Sequence, residues 1–144
     1  MEHGFRAPRA GQAAGRALRR RRGTTALAVS DSYFRAESRC DLEAVVDHFA
    51  ENAVIVHPDG SRSEGREAIR AFYAGVFDAL ASIDVRRVGA VGGGVEAAVE
   101  WRALVVGADG AERSLRGVNL VTVADGRFTR IYAYFGEAAR DWRG

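Results

Sequence analysis

The sequence predicts one small α+β domain over residues 24–144, a curved, cone-shaped sheet covered by three N-terminal helices around an apolar pocket. Three observations carry that prediction. Helical stripes occupy the first half of the region, long β-branched segments occupy the second, and the segments of the second half are joined by short turns. A chain of 144 residues supports one hydrophobic core rather than two.

The first helix is expected to begin at Thr24 or Thr25 and to run to about Arg39, with Leu27, Ser30, Tyr33, Phe34 and Glu37 on neighbouring turns. Asp41 suits an N-cap, and Leu42, Val45, Val46 and Phe49 follow as the i, i+3, i+4, i+7 stripe of a second, short helix. A strand at 53–57 comes next, with Ala53, Ile55 and His57 on one side, and Pro58, Asp59 and Gly60 end it as turn formers. After a polar loop to Gly65, a third helix presents Ile69, Phe72, Tyr73, Val76, Phe77 and Leu80.

Four strands then read as 82–91, 95–106, 114–123 and 127–135, separated by Gly92-Gly93-Gly94, Gly107-Ala108-Asp109-Gly110 and Ala124-Asp125-Gly126. Links this short make neighbours antiparallel. Alternation assigns Val95, Ala97, Val99, Trp101, Ala103 and Val105 to the core face of their strand. In the next strand Leu115, Gly117, Asn119, Val121 and Val123 share a side. Asn119 is a polar residue in an apolar row, so an inward orientation obliges its amide to find partners or a ligand.

Charge is unevenly placed. Seven arginines oppose only Glu2 in residues 1–23, a net +6, whereas the rest of the chain has 14 arginines and 18 carboxylates. The overall +2 is therefore a basic tail on an acidic domain, and it does not imply a nucleic-acid-binding fold. The tail mixes Gly, Ala, Pro and Arg without a sustained apolar stripe, and is read as disordered. The arginines at 19–22 are its only route to phosphate or nucleic acid, which deletion of residues 1–23 would abolish.

The apolar stretch after those arginines is too short for a secretory signal, and no later segment approaches membrane-spanning length. A lone Cys40 fits a reducing cytoplasm and forms no internal disulfide. His3, His48 and His57 do not make a metal centre, and the absence of lysine removes lysine Schiff-base chemistry. The triple glycine at 92–94 has no following helix or Lys, so neither nucleotide nor flavin is implied, and no G-x-S-x-G elbow supports a serine triad.

Several segments together carry a resemblance. They are Tyr33-Phe34 with Cys40-Asp41-Leu42-Glu43, His48-Phe49-Ala50-Glu51-Asn52-Ala53, His57-Pro58-Asp59-Gly60-Ser61, and Gly65-Arg66-Glu67-Ala68-Ile69-Arg70-Ala71-Phe72-Tyr73. Val123-Ala124-Asp125-Gly126-Arg127-Phe128 and Tyr134-Phe135-Gly136-Glu137 close the set. With them the sequence resembles the SnoaL-like and ketosteroid-isomerase-like families of the NTF2-like superfamily over nearly all of 26–139. Members of that superfamily include isomerases, cyclases, dehydratases, hydrolases and noncatalytic domains.

The resemblance implies roles for four residues. Tyr33 matches a tyrosine that stabilises an oxyanion, and Tyr73 matches a second tyrosine that supports it. His57 stands where ketosteroid isomerases have a proton-shuttling aspartate; an imidazole can do the same work near neutral pH. Asn119 matches the second oxyanion donor, an aspartic acid in those isomerases. Glu100 and Arg102 fall near a pair used by limonene-epoxide-hydrolase-like proteins, but the closing carboxylate position is Ala133, which counts against epoxide hydrolysis.

The expected function is therefore a cofactor-independent isomerase or cyclase acting on a small hydrophobic polycyclic or polyketide-like ketone. The alternatives are a noncatalytic ligand-binding or dimeric scaffold domain, and a dehydratase or epoxide hydrolase on a similar substrate. The resemblance also implies a homodimer paired through the outer sheet face, where alternation places Leu104, Val106, Val118 and Leu120.

Overall fold

The computed structural model describes residues 24–138, so the predicted disordered tail lies outside the described residues. Helix α1 spans Ala26–Ser38, and the Thr25 hydroxyl caps it by accepting from the Ala28 N–H at 3.2 Å. It ends where Cys40 adopts φ +50°, with the Cys40 N–H donating to the Glu37 carbonyl and the Asp41 N–H to the Ala36 carbonyl. Asp41 then caps α2, Leu42–Asp47, by accepting from the Ala44 N–H at 3.1 Å.

Phe49 has the spacing of an α2 residue but opens strand β1, Phe49–Val56. Helix α2 stops at Asp47, and the chain leaves it through His48, whose carbonyl accepts from the Phe128 N–H at 2.8 Å. The segment expected as a polar loop contains strand β2, Arg62–Glu64. Helix α3 is Arg66–Asp78; Leu80, expected on its stripe, instead begins β3, Leu80–Gly93. Strands β4, Glu96–Gly107, β5, Glu112–Ala124, and β6, Arg127–Glu137, complete the chain.

The six strands lie in the order β2-β1-β6-β5-β4-β3. All neighbours are antiparallel except β1 and β6, which run parallel through pairs such as Ile55 with Ile131. The helices cover one face of this sheet, where Phe49, Phe128, Ile69, Ile131, Val45 and Val99 are fully buried. Period-2 alternation selects that face: Ala97, Val99, Trp101, Ala103 and Val105 are all buried. Val95 is 59% exposed, because the strand begins one residue later.

The other face meets solvent. Leu104, Leu120 and Tyr134 are 46%, 43% and 54% exposed on it. Cross-strand register sets Leu120 beside Ala98 and Tyr132, and Val118 beside Glu100 and Tyr134. The Arg102 and Arg116 row separates these residues from Leu104. Among the described residues no helix is long and apolar enough to cross a membrane.

Candidate functional site

Between the helices and the concave sheet face lies a cavity of about 270 Å³. Its walls are mainly apolar and aromatic, including Phe34, Ile55, Phe72, Trp101, Ile131 and Phe135. All four residues singled out in the sequence, Tyr33, His57, Tyr73 and Asn119, line it. Glu100 and Arg102 are exposed and point to the opposite face, and Ala133 lines the cavity beside Asn119, its cross-strand neighbour.

Tyr33 projects inward from the middle of α1 and is 3% exposed. The rings of Phe34, Phe49 and Phe128 surround it, and its hydroxyl bonds to that of Tyr73 from α3. Burial holds both phenols well above their usual pKa, with the nearby Glu37 charge adding to the effect. Both hydroxyls therefore stay protonated at neutral pH and can act as donors.

Asn119 is 7% exposed on the inner row of β5. Its carbonyl oxygen accepts from the Trp101 indole N–H at 3.0 Å, so the group it can offer a ligand is its amide nitrogen. Gly117 permits this arrangement. A Cβ there would lie 2.6 Å from the Trp101 Cζ2 and 2.6 Å from the Tyr134 carbonyl oxygen. Glycine thus lets the indole lie across β5 and hold Asn119 in one orientation.

His57 follows β1 directly, at the head of a turn closed by the Gly60 N–H donating to the His57 carbonyl. Its ring packs on Phe72 with centroids 4.3 Å apart, and Nε2 lies 2.8 Å from the Ser63 hydroxyl. Burial pushes the imidazole pKa down, partly offset by Asp59, so the ring is neutral at pH 7 and able to accept a proton. Ser63 can donate to Nε2 or accept from it, and follows the ring through either protonation state. This partner comes from β2, in a segment whose sequence predicts only a polar loop.

Glu37 is a further functional candidate without an assigned sequence role. It lies one turn after Tyr33 on α1 and lines the same cavity. The residue is half-buried, and burial of its carboxyl raises its pKa to about 7 against a contrary effect of the Tyr33 hydroxyl. A folded-state pKa above the unfolded value of 4.5 stabilises the fold below pH 4.5, and that contribution is lost as pH rises through about 7. Glu37→Gln is accordingly expected to match the parent protein near pH 4.5 and to exceed it by roughly 1–3 kcal/mol at pH 8, measured by urea unfolding at both pH values.

Arg113 reaches the cavity edge from β5 and pairs with Glu137 at 3.1 Å. Among the described residues there is no group of three His, Cys, Asp or Glu side chains placed to hold a metal. Besides the Arg113–Glu137 pair at its edge and the Trp101 indole, the cavity presents one neutral base, two phenols, one oriented amide and one carboxylic acid of raised pKa.

The sequence matches the SnoaL-like domain across residues 31–131, which is most of the described chain. The chain belongs to this family. Solved structures with the same SnoaL-like, NTF2-like architecture include a putative polyketide cyclase from Xanthomonas campestris pv. campestris. It is 24% identical, with 83% of this chain and 93% of that one covered and a TM-score of 0.69. SalBIII, an epoxide hydrolase/cyclase-like enzyme of pyran ring formation in salinomycin, is 23% identical over 75% of this chain and 88% of its own, with a TM-score of 0.66. A computationally designed 17-OHP binder is 25% identical over 78% of this chain and 98% of its own, with a TM-score of 0.68. No curated protein matches the chain.

Proposed function

We propose that this SnoaL-like protein is a cofactor-independent enzyme that enolises a small hydrophobic ketone. The observation that carries the reading is the meeting of a neutral imidazole with phenol and amide donors in one apolar cavity. His57 takes the proton from the carbon beside the carbonyl, and the C–H electron pair moves into the enolate. The Tyr33 hydroxyl and the Asn119 amide stabilise the charge that develops on oxygen, while Tyr73 supports Tyr33. Return of the proton to a different carbon completes an isomerisation; attack of the enolate carbon on a second carbonyl of the same molecule completes a cyclisation.

The cavity's volume lies just below the usual range for ligand sites. It suits a compact ketone, or one end of a larger polycycle whose remainder projects from the mouth. Similarity to a putative polyketide cyclase, to SalBIII and to a designed 17-OHP binder agrees with ligands of that kind. Epoxide opening by an Asp-Arg-Asp set is disfavoured, since Glu100 and Arg102 are outside the cavity and Ala133 supplies no carboxylate. The test is solvent deuterium incorporation into a panel of small cyclic ketones: exchange above the buffer rate is expected, and none across the panel would reject the reading.

The working form in this proposal is a cytoplasmic homodimer. The exposed Leu120 and Tyr134, with half-buried Val118 between them, form the apolar part of the contact. Sedimentation across micromolar concentrations should give a dimer that Leu120→Arg dissociates; a parent protein that remains monomeric throughout would refute it.

A further inference from the structure

We propose that Glu37 is a positioning residue that governs whether Tyr33 can donate its hydrogen bond to a ligand oxygen. The proposal rests on the enolising role just given to the cavity, and adds a residue and a regulation to it. Its basis is a count of hydrogens among three side chains that line one cavity. The Tyr33 hydroxyl carries one hydrogen; it bonds to the Tyr73 hydroxyl, and Glu37 stands one helical turn further along α1 on the same cavity wall, within a side chain's reach of it.

When Glu37 is ionised, its carboxylate is the strongest acceptor within reach of Tyr33. A bond to a charged acceptor is roughly twice as strong as one to a neutral oxygen. The chain of donors then runs from Tyr73 to Tyr33 and ends on Glu37, so a ketone in the cavity receives no hydrogen from Tyr33. When Glu37 is protonated, its oxygen no longer competes in this way. The chain from Tyr73 through Tyr33 can end on the ligand, and the carboxylic acid is itself a donor.

The other titratable groups around Glu37 leave it as the one that changes state near neutrality. Tyr33 on α1 and Tyr73 on α3 are held neutral by burial. His57, beyond β1, has its pKa pushed below the ordinary value, and Arg113 on β5 is paired with Glu137. Cys40, just past α1, has its thiol pushed up by burial and by the Glu37 charge. Among the described residues, β3, β4 and β6 contribute to this cavity only apolar side chains and the Trp101 indole.

Two measurements on the full chain test the proposal. In ligand-free protein labelled with carbon-13, the Glu37 Cδ and Tyr33 Cζ resonances should shift together with a midpoint near pH 7. In Glu37→Gln the Tyr33 transition should vanish. The second measurement is affinity for 1-tetralone, a bicyclic ketone without an ionisable group. Dissociation constants should rise about tenfold from pH 6 to pH 8, as expected when only the protonated form binds well. The rise should persist in His57→Asn and fall below about twofold in Glu37→Gln.

A Glu37 midpoint near 4.5, a Tyr33 resonance that ignores it, or pH-independent tetralone binding by the parent protein would each overturn the proposal. The parent protein's titration decides the matter even where a variant does not fold. Correct titration and binding without deuterium exchange would uphold the Glu37 coupling and reject the enolising function. Exchange accompanied by pH-independent binding would do the reverse.

Discussion

Replacing His57 by alanine is expected to lower the rate of solvent deuterium exchange into a bound ketone by about 10²–10⁴-fold, the usual contribution of a positioned general base. The direction follows from the site. His57 is an imidazole that burial keeps neutral at pH 7, packed at a tilt against Phe72 and tied to Ser63, at the wall of the cavity that also holds the donors. Ketone affinity should change far less, because the apolar wall area remains. Tyr33→Phe and Asn119→Leu should each cost about 10²–10³-fold through the oxygen rather than the carbon. Exchange undiminished in His57→Ala would remove the assigned base.

Phe128→Ala should be the most damaging of the simple core truncations. Phe128 is 1% exposed and packs against Phe49 and Tyr33, each with ring centroids 5.3 Å away. Emptying such a site costs about 3–5 kcal/mol, against a total stability of about 5–15 kcal/mol for typical domains. A urea midpoint that falls sharply with an unchanged slope would show the loss. Because Phe128 also backs the Tyr33 ring, the surviving folded protein should bind ketones less tightly. A midpoint within about 0.5 kcal/mol of the parent would contradict the packing described.

Much of this fold was legible because burial on one face leaves a period-2 record. Strand β4 shows it in Ala97, Val99, Trp101, Ala103 and Val105, and β5 repeats it with Asn119 as the polar exception. The short turns fixed the antiparallel order of β3 to β6. The parallel pairing of β1 with β6 was not legible, since the partners lie far apart in sequence and no short-range signal joins them. Phe49 has the spacing of an α2 residue because the helical apolar period continues past the His48 turn that ends the helix.

The site was legible in part for a related reason. Tyr33, His57, Tyr73 and Asn119 came from resemblance to known families, and all four line the cavity. Glu37 carried no such signal: a glutamate on a helix ordinarily faces solvent, and its place on the cavity wall emerges only when the helices close over the sheet. Ser63 was hidden between Arg62 and Glu64, a three-residue strand too polar and too short to announce itself. Trp101 read as core, and it is core, yet its indole N–H also fixes the amide on which the oxyanion contact depends.

The most direct measurement is a crystal structure with a bound cyclic enone. The ligand oxygen should sit about 3 Å from both the Tyr33 hydroxyl and the Asn119 amide nitrogen, with the acidic carbon facing His57. An enone bound outside the cavity, or bound inside it with its oxygen turned away from Tyr33 and Asn119, would contradict the proposed chemistry while leaving the SnoaL-like fold intact.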